Sequence, residues 1–302
     1  MKKLRISVVQ YLNTAPLVYG FTHGPLKGKY DLSFTIPSRC ADDLREGRAD
    51  VAIIPAIEFQ RIEGLVVLPG MAIAAKRRVR SLLIVSRNPI GEVESIALDR
   101  SSRSTQALTR ILCSESWQIA PRFFEAPLET GSMLENADAA LLIGDPALRL
   151  AILAANYSTL GADGELVCNA DKLGINASGA LHIYDVVQEW RRLSGLPAVL
   201  AIWAGRSEMM TSEVVADFAA SKAYGVANIA EISAVAAEEE GWPAAELLTY
   251  LRENIDFSLD EENLAGLELY YCLAAKLRLI PQARSIEWVS ERAGAVRIAK
   301  TY

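Results

Sequence analysis

The chain has 302 residues, 51% of them apolar and 23% charged, which is ample for buried cores and leaves no low-complexity tract to read as disordered. Its length exceeds one compact domain, so two lobes, each with its own core, are expected. A net charge of −6 disfavours a nucleic-acid partner, and the densest basic cluster, Lys76-Arg77-Arg78-Val79-Arg80, is short and reads as a solvated turn.

Short β-branched runs alternate with helical patterns in the first third. Residues 4–9, 31–36 and 50–54 read as strands, and helices are expected from near Thr14 and from Ser38. Ser38 follows Pro37 as a candidate N-cap, Ala41, Leu44 and Arg45 keep a helical period, and Gly47 supplies the stop. Strands at 65–68 and 79–86 follow, and Asn88-Pro89-Ile90-Gly91 breaks the pattern, which places a crossing between lobes there. A second alternation then begins: strand 95–98, helix 101–114, strand 122–125, and a buried strand 139–143 that ends in Gly144-Asp145-Pro146. Residues 161–178 lack periodicity and read as loop. Residues 186–193 read as a helix stopped by Gly195 and Pro197, and 199–203 as the strand returning the chain to the first lobe. Helices finish the chain at 212–240, broken once, at 243–254 and at 260–277, where Glu261-Glu262 suit the positive end of a helix dipole.

Strands alternating with helices imply largely parallel sheets. The expected fold class is α/β, a two-lobed type 2 periplasmic-binding-protein-like fold with two crossings between lobes. Lobe one takes residues 1–86 plus 202–302, with the C-terminal helices, and lobe two takes 87–201. Ligands of such open sheets sit beyond the carboxyl ends of the strands, here in the cleft between lobes.

Several polar residues follow predicted strands and so face that cleft. Asn13 and Thr14 come after the first strand, where an amide can orient a hydroxyl or carboxylate; capping the next helix is the alternative. Ser101-Ser102-Arg103-Ser104-Thr105 opens a helix, and its amides, hydroxyls and guanidinium together suit a carboxylate; the alternative leaves Arg103 in solvent. Asp145 reads either as a partner for a substrate hydroxyl or arginine, or as the cap of a helix with Pro146 at its first turn. Ser86 ends a crossing strand and reads as a ligand contact or a turn serine.

Other chemistries lack their signatures. Cys40, Cys113, Cys168 and Cys272 are scattered, so neither zinc site nor disulfide framework is suggested. His23 and His182 are the only histidines, no hydrolase elbow accompanies them, and no P-loop or GxGxxG follows a strand; no cofactor is expected. No stretch approaches the ~20 apolar residues of a membrane span, and the N-terminus carries no export signal pattern, so a cytoplasmic protein is expected.

The ordered set Tyr11-Leu12-Asn13-Thr14-Ala15-Pro16-Leu17, Pro37-Ser38 with Asp50-Val51-Ala52-Ile53-Ile54-Pro55, Leu98-Asp99 with Ser102-Arg103-Ser104-Thr105, Leu142-Ile143-Gly144-Asp145-Pro146, and Tyr184-Asp185 to Gly195-Leu196-Pro197 resembles the chorismate dehydratase family of the futalosine route to menaquinone. The resemblance covers most of the first 205 residues. One departure is visible: the family commonly has Ser-Arg-Thr-Ser where this chain has Ser102-Arg103-Ser104-Thr105, an exchange that keeps the hydroxyl donors. The resemblance implies a hydro-lyase that converts chorismate, a small dicarboxylate, to 3-[(1-carboxyvinyl)oxy]benzoate and water. For that reaction Asn13 and Ser86 are expected as the catalytic residues, with Thr14, Ser38, Arg103, Ser104, Thr105, Gly144 and Asp145 binding substrate. A sister enzyme of the 1,4-dihydroxy-6-naphthoate synthase type and a non-catalytic anionic-solute-binding protein are the alternatives.

Overall fold

The computed structural model describes residues 3–126, 130–162, 164–175 and 179–289. The first stretch forms β1 (Arg5–Val9), α1 (Ala15–Thr22), β2 (Asp31–Thr35), α2 (Pro37–Arg45), β3 (Val51–Pro55), α3 (Ala56–Arg61) and β4 (Leu65–Ala75). The middle forms β5 (Leu82–Ser86), β6 (Ser95–Asp99), α4 (Arg103–Glu115), β7 (Arg122–Ala126), α5 (Thr130–Asn136), β8 (Ala139–Ile143), α6 (Gly144–Ala155), β9 (Thr159–Leu160), β10 (Leu166–Asn169), β11 (Ala180–Asp185) and α7 (Val186–Ser194). Then come β12 (Ala198–Arg206), α8 (Ser212–Ala227), α9 (Ile229–Glu240), α10 (Ala244–Thr249) and α11 (Glu261–Lys276).

These strands make two sheets, ordered β2-β1-β3-β12-β4 and β7-β6-β8-β5-β11-β10-β9. In the first, β1 pairs in parallel with β2 and β3; in the second, β6 pairs in parallel with β7 and β8. Every residue of β3, β5, β6 and β8 is buried, as the continuous apolar runs of sheets covered on both faces require.

Several expectations change. The strand expected at 79–86 begins at Leu82 and pairs antiparallel with β8 and β11 in the second sheet. The chain therefore leaves the first sheet through residues 76–81, and Asn88-Pro89 marks only the end of β5. The strand expected at 65–68 runs on to Ala75, because pairing with β12 carries it past Pro69-Gly70 with two register shifts. The stretch expected as loop at 161–178 contains β10 and a 3-10 turn, Ala170–Leu173, capped by the Asn169 side chain; residues 163 and 176–178 of it lie outside the described residues. Ser38 is not an N-cap: α2 starts at Pro37, whose missing N–H costs a first turn nothing.

The basic cluster is the crossing itself. Asp185 accepts hydrogen bonds from the backbone N–H groups of Val79 (3.0 Å) and Arg80 (2.6 Å), and from Val187 and Gln188 at the start of α7. One carboxylate thus ties the outgoing crossing to the returning one. Arg80 pairs with Glu246 at 2.6 Å, and Lys76 with Asp260 at 2.6 Å and Glu262 at 3.1 Å. Acidic residues at the C-terminal helices match Arg80 and Lys76, while Arg77 and Arg78 are exposed, as a solvated turn would have them.

The main core is continuous across both sheets. One cluster joins Ile6, Ile53 and Trp203 of the first sheet to Ile84, Leu98 and Tyr184 of the second. The alternate residues Leu83, Val85, Ala140 and Leu142 fill a separate cluster on the far face of the second sheet, as the two-residue period of a strand dictates. Besides the second sheet's own cluster there is thus a core shared by both sheets, and α11 packs on helices of both. Its Tyr271 hydroxyl donates to Ala56 O at 2.7 Å and its Tyr270 hydroxyl to Ser104 O at 2.9 Å. Among the described residues no helix is long and apolar enough to cross a membrane.

Candidate functional site

The parallel strands β1, β2 and β3 of one sheet and β6 and β8 of the other all end at one junction, and each turns there into a helix start. The starts touch one another across the two sheets. Leu12 N–H donates to Asp145 at 3.2 Å, Ser38 N–H to Ser101 O at 2.9 Å, and Ile57 N–H to Ser104 Oγ at 3.1 Å. First-turn amides lack partners inside their own helices, and their dipoles point the same way, so such a junction favours anions.

The turn after β1 supplies Tyr11 and Asn13. The Tyr11 ring lies on Gly144, where a Cβ would come within 2.7 Å of a ring carbon and where φ is +66°; only glycine suits both the contact and the backbone. Burial pushes the Tyr11 hydroxyl up to about 12, while its hydrogen bond with Ser101 opposes the rise. Asn13 Oδ1 accepts from Thr14 Oγ1 at 3.3 Å, and its side chain also meets the hydroxyl of Tyr250, which donates to Ser81 Oγ at 2.8 Å. Thr14 is buried and makes no capping bond to α1, so the capping alternative is not adopted.

Two carboxylates stand at the junction. Asp145 makes no cap for α6; it reaches across to Leu12 instead. Burial pushes its carboxyl up to about 6, against the lowering effect of the Leu12 N–H and with a small upward push from Glu240. Asp99, the last residue of β6, was legible only as the end of a strand. It is buried, its Oδ1 accepts from Ser101 N–H at 2.8 Å and Ser101 Oγ at 2.7 Å, and its Oδ2 has no partner among the described residues. Burial holds its carboxyl above the ordinary range, with the Ser101 bonds opposing. An acid closing a buried apolar run was the signal that could have singled it out.

Other expected residues are placed differently. Arg103 is neither in solvent nor aimed at an empty cleft: its guanidinium grips both oxygens of Asp42 (3.0 and 3.1 Å) and Glu58 at 3.1 Å, strapping α4 to α2 and α3. The Ser104 hydroxyl is taken by Ile57, and that of Thr105 by Ser102 at 2.8 Å. Ser86 is a correction. Because β5 runs antiparallel to β8, with Leu82 opposite Ile143 and Ser86 opposite Ala139, Ser86 lies about 13 Å from the end of the strand that meets the junction. Its hydroxyl donates to Asp138 O at 3.3 Å and accepts from Asn88 N–H at 3.2 Å. Ser81 is the serine that arrives, its carbonyl accepting from Gly144 N–H at 2.8 Å. His23 stacks on Tyr19 and His182 pairs with Glu165. Among the described residues no group of three or more His, Cys, Asp or Glu is arranged to hold a metal.

A family model described as menaquinone biosynthesis matches residues 4–276. The chain belongs to that menaquinone biosynthesis family. A relative, the chorismate dehydratase of Thermus thermophilus, is 24% identical over 274 residues, which are 89% of this chain and 94% of that protein. Among solved structures, a protein of Archaeoglobus fulgidus superposes with a TM-score of 0.67 at 18% identity, covering 92% of this chain and 98% of its own. The alkanesulfonate-binding protein of Xanthomonas axonopodis pv. citri, solved with MOPS, superposes with a TM-score of 0.61 at 15% identity, covering 92% and 94%. The fold of this menaquinone biosynthesis family member is therefore periplasmic-binding-protein-like, as its sequence pattern implied.

Proposed function

We propose that this protein is a chorismate dehydratase, a hydro-lyase that removes water from chorismate to leave 3-[(1-carboxyvinyl)oxy]benzoate. The observation that carries the reading is the meeting of helix starts from two sheets, lined by neutral donors, at the place where this fold holds its ligands. Such a site suits a dicarboxylate in an acidic protein, since local amides supply the attraction that the net charge of −6 withholds. The first-turn amides of α4 take a carboxylate, and Asn13, steadied by Thr14 and Tyr250, orients the substrate's ether side chain or leaving hydroxyl.

Loss of the C3 proton and the C4 hydroxyl makes the ring aromatic, so the substrate supplies the thermodynamic pull. Positioning and preorganised donors then provide a large share of the barrier reduction. In this reading the substrate's own enolpyruvyl carboxylate takes the C3 proton. The lobes are the two sheets with their helices, joined through residues 76–81 and α7. The cytoplasmic location belongs to the same proposal and is read by cell fractionation.

The test is to incubate the purified protein with chorismate and follow the loss of cyclohexadiene absorbance together with the mass of the product. A product one water lighter than chorismate is expected. Saturable binding without turnover establishes the solute-binding alternative instead, which the likeness to alkanesulfonate-binding proteins favours.

A further inference from the structure

We propose that Asp99, acting through the Ser101 hydroxyl, delivers the proton with which the substrate's hydroxyl leaves as water; this rests on the dehydratase reading above. Hydroxide is a poor leaving group, and a base carried by the substrate does nothing for that side of the elimination. Asp99 and Ser101 are placed to serve it. Ser101 Oγ lies 2.7 Å from Asp99 Oδ1, an O···O pair in which either oxygen can hold the proton. The same Oδ1 also takes Ser101 N–H, while Oδ2 is buried with no donor among the described residues. A carboxylate so short of donors favours its acid form, in line with the upward push of burial on this carboxyl. The Ser101 side chain also hydrogen-bonds the Tyr11 hydroxyl, so it accommodates a second hydroxyl besides its carboxylate partner, and in the relay the substrate's leaving hydroxyl sits there. Tyr11 itself, pushed up to about 12, is too weak an acid for the task.

The step balances. The C3–H bond breaks and its electron pair enters the ring, while the enolpyruvyl carboxylate takes the proton. The C4–O bond breaks with its pair on oxygen. That oxygen takes the proton of Ser101 Oγ as Ser101 takes the carboxyl proton of Asp99, leaving water, the aromatic product and an Asp99 carboxylate. After release the C3 proton passes to solvent, and Asp99 regains one from solvent.

The charged and titratable groups facing this pair are few. Arg100 favours the ionised form of Asp99, and the Tyr11 hydroxyl, which meets Ser101, feels the charges of both Asp99 and Asp145. Glu125 of β7 is linked through Gln106, whose Nε2 donates to Asp99 O at 2.9 Å and lies 3.4 Å from the Glu125 carboxylate. Arg103, at the start of α4, is held by Asp42 and Glu58.

Asp99→Asn keeps an acceptor for both Ser101 donors and removes the transferable proton. The expected result is a fall in kcat of about 100-fold or more, KM held within a few-fold, and a melting temperature no lower than that of the wild type. Wild-type kcat declines as pH rises through the Asp99 titration, and this alkaline limb is expected to vanish in the variant. Ser101→Ala is expected to lose as much, and the double variant no more than either single one, because the two act as a unit. In the ligand-free protein, 13C NMR is expected to show the Asp99 carboxyl titrating above the ordinary aspartate range. Wild-type kcat and an intact alkaline limb in Asp99→Asn, or an ordinary Asp99 titration, overturn the relay while leaving the dehydratase reading standing. A wild-type protein that does not turn over chorismate overturns both.

Discussion

At the scale of single residues, Gly144 and Asp145 show how two adjacent positions serve opposite sides of one junction. Gly144 holds a positive φ beneath the Tyr11 ring, so Gly144→Ala adds left-handed backbone strain to a collision with that ring. A loss of about 1–3 kcal/mol is expected, with a raised KM as Tyr11 is displaced; urea unfolding and steady-state kinetics check both. Asp145 carries a pH signature. Burial pushes its carboxyl up to about 6 in the folded protein, above the ordinary aspartate range, so the folded state holds the proton more tightly than the unfolded one. The cost of ionising it is therefore fully present above about pH 6 and gone below about pH 4. Asp145→Asn, which still accepts from Leu12, is expected to stabilise the protein at pH 8 by roughly 2–3 kcal/mol and to lose that gain as pH falls through this window. An equal effect at pH 8 and pH 4 contradicts it. Both residues were legible as a motif after a strand. That Asp145 reaches Leu12 rather than its own helix was not, because the partner lies 133 positions away.

At the scale of elements, the contact between α1 and α8 sets where the Asn13 turn sits. A Cβ on Gly225 would lie 1.8 Å from the carbonyl oxygen of Pro16, and Ser221 donates to Leu17 O at 2.9 Å; the two helices meet nearly backbone to backbone. Glycine inside a helix ordinarily costs about 1 kcal/mol relative to alanine. Gly225→Ala is nonetheless expected to destabilise by about 2 kcal/mol, since overpacking outweighs the gain in propensity. A neutral or stabilising result in urea unfolding refutes the close contact. Strand direction is the element-scale property that the sequence hid. Ser86 ends an apolar run just as Asp99 does, but β5 runs antiparallel to β8 and β6 runs parallel to it, which sends the two residues to opposite ends of the sheet.

At the scale of the whole molecule, the shared core joins the sheets more firmly than a two-lobe plan alone suggests. Trp190 and Trp203, both fully buried, belong to the cluster that spans both sheets. Calorimetry is expected to show one cooperative transition, coincident by tryptophan fluorescence and far-UV circular dichroism; two separable transitions refute the continuous core. By itself the sequence determined the α/β class, the double crossing and most strands and helices, because hydrophobic period, caps and breakers act over a few residues. It also determined the family through an ordered set of short motifs. Only the tertiary structure decided which strands run antiparallel, which serine reaches the junction, that Arg103 is a strap between helices, and that Asp99 stands behind Ser101. These depend on contacts between segments tens to hundreds of residues apart, where pairing direction and charge partners are chosen by the packed whole and leave no local trace.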